Sequence, residues 1–266
     1  MDYETIILRK DEGIAAIVFN RPERGNAINE QMLDELSLAI DEVNNDEDTR
    51  VLVLTGAGRG FCGGGDIGRM GEDSAFSNVK PEKMRQFIIQ SAQNVTRKLR
   101  AIEIPTIAMV NGFAVGGGFD YACACDIRMG SENSRFASAF VRVGLIPETG
   151  GSYFLPRIVG ISKALEILFT GRWVEAEEAE KIGLLNRLVP AKDLKNETTE
   201  LARQLAKAPP ISIRMTKQLV NTGLEVCLEE TLSKAAAYQA IASASWDHKE
   251  GIVAWRENRD PVYRGE

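Results

Sequence analysis

The sequence predicts an α/β core with a mostly parallel sheet, followed by a helical C-terminal region. Three observations carry that prediction. The runs "VLVL" from Val51 and "IAMV" from Ile107 are continuously apolar and lead into glycine turns, as strands buried on both faces do. Segments of helical spacing separate the strands, and such alternation needs β-α-β crossovers and hence parallel pairing. From about residue 161 onward, helical segments dominate.

Taken in order, "ETIILRKDEGIAAIVFNRP" reads as two short strands around the turn Asp11-Glu12-Gly13, ended by Pro22. "NEQMLDELSLAIDEVNND" places Met32, Leu36, Ile40 and Val43 on one helical face, with Asn29 as N-cap. The Val51 strand follows, then a polar helical stretch over roughly 81–101. "IPTIAMVNG" and "CDIRMGS" are two more strands. Beyond them, "SKALEILFTG", "EAEEAEKIG", "LKNETTELARQLAKA", "PISIRMTKQLVNTG" and "LEETLSKAAAYQAIASAS" read as helices, with one strand at "LLNRLVP". We divide the chain into a core, 1–200, and a helical C-terminal region, 201–266.

The 266 residues suit one large domain, and 44% hydrophobic with 26% charged residues is ordinary for a globular protein. A net charge of −6 argues against nucleic acid as the partner, because a phosphate-binding face needs a basic surplus. "MDYETIILRKDEG" lacks the features of a secretion signal, and no apolar run approaches a membrane span. Four cysteines without a CxxC pair point to a reducing cytoplasm and to no metal site. The single histidine, His248, sits in polar "SWDHKEG", where a solvated surface position is expected. If the chain is an enzyme, its acid–base chemistry therefore falls to carboxylates.

Two stretches echo each other: "VLVLTGAGRGFCGGGD" and "IAMVNGFAVGGGFD" each run strand, glycine turn, glycine triplet, aspartate. The match to a dinucleotide fingerprint is poor, and no G-K-[ST] follows to make a P-loop. The remaining reading is an oxyanion site, in which glycine turns free backbone N–H groups to hold a developing negative oxygen. If Phe119 to Cys125 is helical, Gly117 lies at its N-terminus and Asp120 one turn on; Asp120 is then either a proton carrier or an acid placed at the helix dipole.

"NRPERGNAIN", "GRGFCGGGDIGRM", "PTIAMVNGFAVGGGFDYACACDIRMGSENSRF" and "VGLIPETGGSYFLPRIVG" resemble, in order, the signature blocks of the crotonase superfamily, the enoyl-CoA hydratase/isomerase family. The resemblance continues through "LFTGRWVEAEEAEKIGLLNRLV" to "KEGIVAWRENRDPVYRG". It implies a crotonase-like spiral of repeated ββα units, a C-terminal region that assembles trimers or dimers of trimers, and an acyl-CoA thioester substrate, with coenzyme A as part of the substrate and no separate cofactor. The oxyanion donors map by similarity to Gly65 and Gly117. Arg24, Asn26, Ala27, Cys62, Gly63, Asp66 and Ile67 fall where family members line the adenine and pantetheine. Arg256, Arg259 and Arg264 either meet the CoA phosphates or are solvated; Trp255 and Tyr263 read as packing anchors.

Family hydratases carry two glutamates, and this chain departs at both places, with Asp120 at the first and Phe140 at the second. Glu148 in "IPETGG" offers a replacement at a position where some isomerases of the family place a working acid. The dienoyl-CoA isomerase branch shares the aspartate but keeps a glutamate at the Phe140 position. With Asp120 and Glu148 as the acids, the resemblance implies hydration or a double-bond shift of an enoyl- or dienoyl-CoA. A crotonase-type hydrolase or C–C lyase, and a catalytically silent oligomeric scaffold, are the alternatives.

Overall fold

Strand, strand and helix recur along the first part of the chain, as seen in a computed structural model that describes residues 3–66, 68 and 79–266. β1 (Ile6–Asp11) and β2 (Ile14–Phe19) pair antiparallel. Glu12 and Gly13 turn the hairpin with φ of 48° and 75°, as a two-residue type I′ turn requires. α1 (Glu30–Asn44) starts at Asn29, whose side chain accepts from the Met32 N–H at 2.9 Å; such a cap stabilises by about 1 kcal/mol. Met32, Leu36, Ile40 and Val43 are all buried.

Three further units follow. The first is β3 (Val51–Gly56), β4 (Gly60–Cys62), α2 (Pro81–Gln90) and α3 (Ala92–Ala101); the second is β5 (Thr106–Val110), β6 (Phe113–Val115) and α4 (Gly117–Ala124). The third is β7 (Ile127–Ser131), β8 (Arg135–Ala137), a 3-10 turn over 139–143 and α5 (Gly151–Val159). The helical stretch expected over roughly 81–101 is made of two helices, broken at Ser91, whose hydroxyl donates to the Phe87 carbonyl at 2.6 Å. Serine bonding back to the preceding turn bends a helix in this way.

α6 (Ile161–Thr170), β9 (Val174–Glu175), α7 (Ala176–Lys181), β10 (Arg187–Val189), α8 (Leu194–Ala206), α9 (Pro210–Gly223), α10 (Leu228–Ala244) and α11 (Trp246–Glu257) complete the described chain. β1 and β2 both enter a six-stranded sheet, β1-β2-β3-β5-β7-β10; in each of the three further units the first strand joins that sheet and the second enters a four-stranded sheet, β4-β6-β8-β9. All described pairs except β1–β2 and β8–β9 are parallel.

The main core joins the six-stranded sheet to α1, α3 and α4 through Phe19, Leu36, Leu54, Leu99, Phe119 and Tyr121. On the other sheet face, Val51, Val53, Ile107 and Met129 meet Leu194 and Ala202 of α8. A boundary at residue 200 therefore cuts α8, a helix that packs on the sheet; α9 to α11 follow it. That region leaves apolar side chains uncovered. α10 has no buried residue, and Trp255, expected to anchor packing, is 83% exposed. Among the described residues no helix is long and apolar enough to cross a membrane.

Candidate active site

The carboxyl ends of β4 and β6 lie side by side, because these strands pair parallel with Gly60 opposite Phe113 and Cys62 opposite Ala114. Loops leaving neighbouring parallel strands share one edge of the sheet, where ligands bind in such folds. Here the loops touch: a Cβ on Gly64 would lie 2.7 Å from the Val115 carbonyl. Within the triplet the glycines have separate tasks. Gly116 turns the chain with φ 50°, open to glycine and costly for other residues, and Gly118 admits Cys62, whose Cβ would stand 2.5 Å from an added methyl.

Gly117 is left to offer its N–H. It is the first residue of α4, where an amide has no acceptor inside its helix. Gly65 is oriented by a parallel bridge to Ile28: the Ile28 N–H donates to Gly64 at 2.7 Å and the Asp66 N–H to Ile28 at 3.0 Å. In a parallel bridge the flanking residues make the bonds, so the N–H of Gly65 points away from Ile28. Neither amide donates to another group among the described residues.

The 21–28 loop stands against these turns. Arg21 bridges it to the second loop, with its guanidinium 3.2 Å from the Asp66 carboxylate and also donating to the Ala27 carbonyl. Arg24 is exposed, and Ala27, Gly63 and Asp66 are half-buried at the loop surface. Two of the positions expected to line CoA have side chains turned into the protein. Asn26 is fully buried, its amide donating to the carbonyls of Ala57 and Gly60 while its oxygen accepts from the Arg21 N–H. Cys62 is equally buried, with its thiol donating to the Asn26 carbonyl and pushed by burial up to about 12. Both residues hold the loops from inside. Ile67 lies outside the described residues. Arg259 is engaged with Glu250 and Glu257, and Arg264 stacks 4.3 Å over the Trp246 ring.

The two acids meet at the turn before α5. Asp120, on α4, is 1% exposed, and its Oδ2 accepts from the Thr149 hydroxyl at 2.6 Å. A Cβ on Gly151 would fall 2.2 Å from Asp120 Oδ1, so the carboxyl lies directly against the first residue of α5. Burial pushes this carboxyl up to about 7, opposed by the Thr149 hydroxyl and the Gly151 and Thr149 amides and reinforced by the charge of Glu148. Glu148 is half-buried, and burial raises its carboxyl too, against one bond from its own amide. Helix α3 pins the turn: Gln93 donates to the Glu148 carbonyl at 3.0 Å and Thr96 to the Thr149 carbonyl at 2.7 Å.

Phe140 sits over the glycine triplet, with its ring 3.7 Å from where a Gly116 Cβ would be. Apolar carbon thus occupies the place at which family hydratases would carry a second glutamate. Sequence reasoning missed Arg21 and Thr149 as parts of the site. Thr149 carries no local signal for this role, because its bond to Asp120 spans 29 residues.

Repeated ββα units with paired glycine loops at one sheet edge are the crotonase fold. The chain belongs to the enoyl-CoA hydratase/isomerase family, whose model matches residues 9–266. It is 35% identical over 260 residues to the short-chain-enoyl-CoA hydratase of Clostridium acetobutylicum, covering 97% of each chain. It is 33% identical over 263 residues to the 1,2-epoxyphenylacetyl-CoA isomerase of Escherichia coli, covering 98% of this chain and 99% of that one. The crystal structure of enoyl-CoA hydratase from Bacillus anthracis superposes with a TM-score of 0.92 at 30% identity, covering 99% of this chain and 100% of that one.

Proposed function

We propose that this protein acts on the C=C bond of an enoyl- or dienoyl-CoA through an enolate, with the Gly65 and Gly117 amides holding the thioester oxygen. One observation carries the reading: the unbonded Gly117 amide and the turn bearing Glu148 are neighbours. A Cβ on Gly117 would lie 3.6 Å from the Thr149 hydroxyl. The Glu148 carboxylate takes a proton from the acyl chain, the C–H pair becomes a C=C bond, and the carbonyl pair moves onto oxygen. Two amides aimed at that oxygen in a water-poor cleft lower the barrier by several kcal/mol. Return of the proton at a different carbon shifts the double bond.

Phe140 favours this shift over hydration. A phenyl ring neither activates water nor donates a proton, so the two-glutamate route of family hydratases lacks its second member. Relatives bearing hydratase and isomerase names are consistent with either outcome. Coenzyme A enters as part of the substrate, and Arg24, Ala27, Gly63 and Asp66 are the surface positions that suit its nucleotide and pantetheine. The uncovered apolar faces of α9–α11 support assembly into a trimer or a dimer of trimers. Cysteines without disulfides suit a reducing cytoplasm.

An acyl-CoA panel followed by mass and absorbance tests the reading. A mass-neutral absorbance change in an enoyl- or dienoyl-CoA is expected. Release of free CoA or cleavage of the acyl carbon chain would overturn it in favour of hydrolase or lyase chemistry.

A further inference from the structure

Thr149 makes contacts that the reaction above does not use. Its hydroxyl reaches Oδ2 of Asp120 at 2.6 Å, its carbonyl accepts from Thr96 at 2.7 Å, and it directly follows Glu148. It is 3% exposed, against 1% for Asp120, whereas Glu148 is only half-buried. Asp120 is thus walled in between α4 and the start of α5, and Glu148 lies nearer the surface of the same turn.

We propose that Thr149 is a positioning residue, its hydroxyl holding the buried Asp120 carboxyl against the turn that carries Glu148. The two carboxyls then work as one proton-holding pair, of which Glu148 is the member that meets substrate. The last clause rests on the double-bond chemistry proposed above; the pairing itself rests on the geometry. Asp120 acts through Glu148 and not on the acyl chain. The carboxylate is one methylene shorter than the glutamate family hydratases carry here, which fits its retreat against Gly151.

The ionisable groups around Asp120 are Glu148 on the turn and Tyr121 and Cys123 on its own helix, with Cys62 of β4 acting on Tyr121. Helix α3 contributes Gln93 and Thr96 to the turn, both uncharged. Glu148 is the one carboxylic acid among them. Carboxyls that interact strongly titrate as a pair. The Thr149 hydroxyl lowers the proton affinity of Asp120, and the charge of Glu148 raises it.

The test is infrared titration of the carboxyl bands in the full-length protein, with D120N assigning the Asp120 band, alongside solvent-deuterium exchange into an enoyl-CoA. Asp120 is expected to ionise near pH 7 in the wild type. It should ionise about one pH unit higher in T149V, close to the wild-type value in T149S, and lower in E148Q. T149V keeps the shape of threonine without the donor, so kcat for exchange should fall ~10-fold with little change in KM. An Asp120 band that titrates identically in T149V and the wild type would overturn the pairing. Loss of exchange at every pH in D120N, with wild-type exchange in E148Q, would overturn the assignment of Glu148 as the member at substrate. A wild type that titrates as stated but exchanges no proton with any acyl-CoA would sink the proposed reaction and leave the pairing standing.

Discussion

The ring of Phe140 and the backbone of Gly116 pack together, the ring carbon lying 3.7 Å from where a Cβ of Gly116 would project. A phenyl ring therefore borders the glycine turn just before the amide assigned to the oxyanion. It supplies apolar surface and no proton.

Phe140→Glu restores an acid at that position. The expected outcome is a larger share of water addition relative to double-bond shift on the same enoyl-CoA, read by mass spectrometry of the products. An unchanged product ratio would remove Phe140 from the explanation.

Gly117→Pro removes the amide hydrogen. Proline suits the first position of a helix and lacks the N–H that is free there, while adding a Cβ 3.3 Å from the Ile28 side chain and a ring carbon where the hydrogen pointed. We expect kcat to fall ~10²–10³-fold, the cost of losing one oxyanion donor, with a melting temperature near that of the wild type. Full activity in a folded variant would mean that the Gly117 amide does not hold the reacting oxygen.

Gly118→Ala should cost stability. Its added methyl would stand 2.5 Å from the Cys62 Cβ and 2.8 Å from the Cys62 carbonyl oxygen, between two elements fixed by the sheet. Overpacking of this kind destabilises by about 3 kcal/mol, measurable by urea denaturation. A neutral outcome would show that β4 and α4 separate easily.

Much of the fold was readable because the relevant signals are local. Asn29 as a cap, the Glu12–Gly13 hairpin and the Val51 strand all follow from neighbours in sequence. The glycine echo was legible for the same reason, since each loop repeats its strand, turn and triplet within one unit. What escaped depends on partners far along the chain. Asn26 looked like a ligand contact until its amide was found bonded to Ala57 and Gly60, over 30 residues away. The 200/201 boundary missed that α8 covers the sheet, because amphipathicity shows that a helix has a buried face and not what covers it. Trp255 looked like an anchor by size alone, but it is 83% exposed.

Asp120 also makes stability depend on pH. Its folded carboxyl is pushed up to about 7, so the native state holds this proton more tightly than the unfolded chain does. The associated stability is present below the ordinary aspartate range, falls as pH rises, and is fully lost above about 7. Glu148, raised as well, adds in the same direction. Asp120→Asn should therefore flatten the dependence of unfolding free energy between pH 5 and 8, by an amount on the order of a few kcal/mol. Parallel pH profiles for the variant and the wild type would show that Asp120 ionises normally.

The most direct test of the whole account is exchange of acyl-chain protons with heavy water, comparing wild type with Glu148→Gln. The account predicts that the wild type exchanges protons of an enoyl-CoA while Glu148→Gln loses exchange by ~10³-fold and keeps its KM within a few-fold. Exchange by Glu148→Gln at the wild-type rate would contradict it.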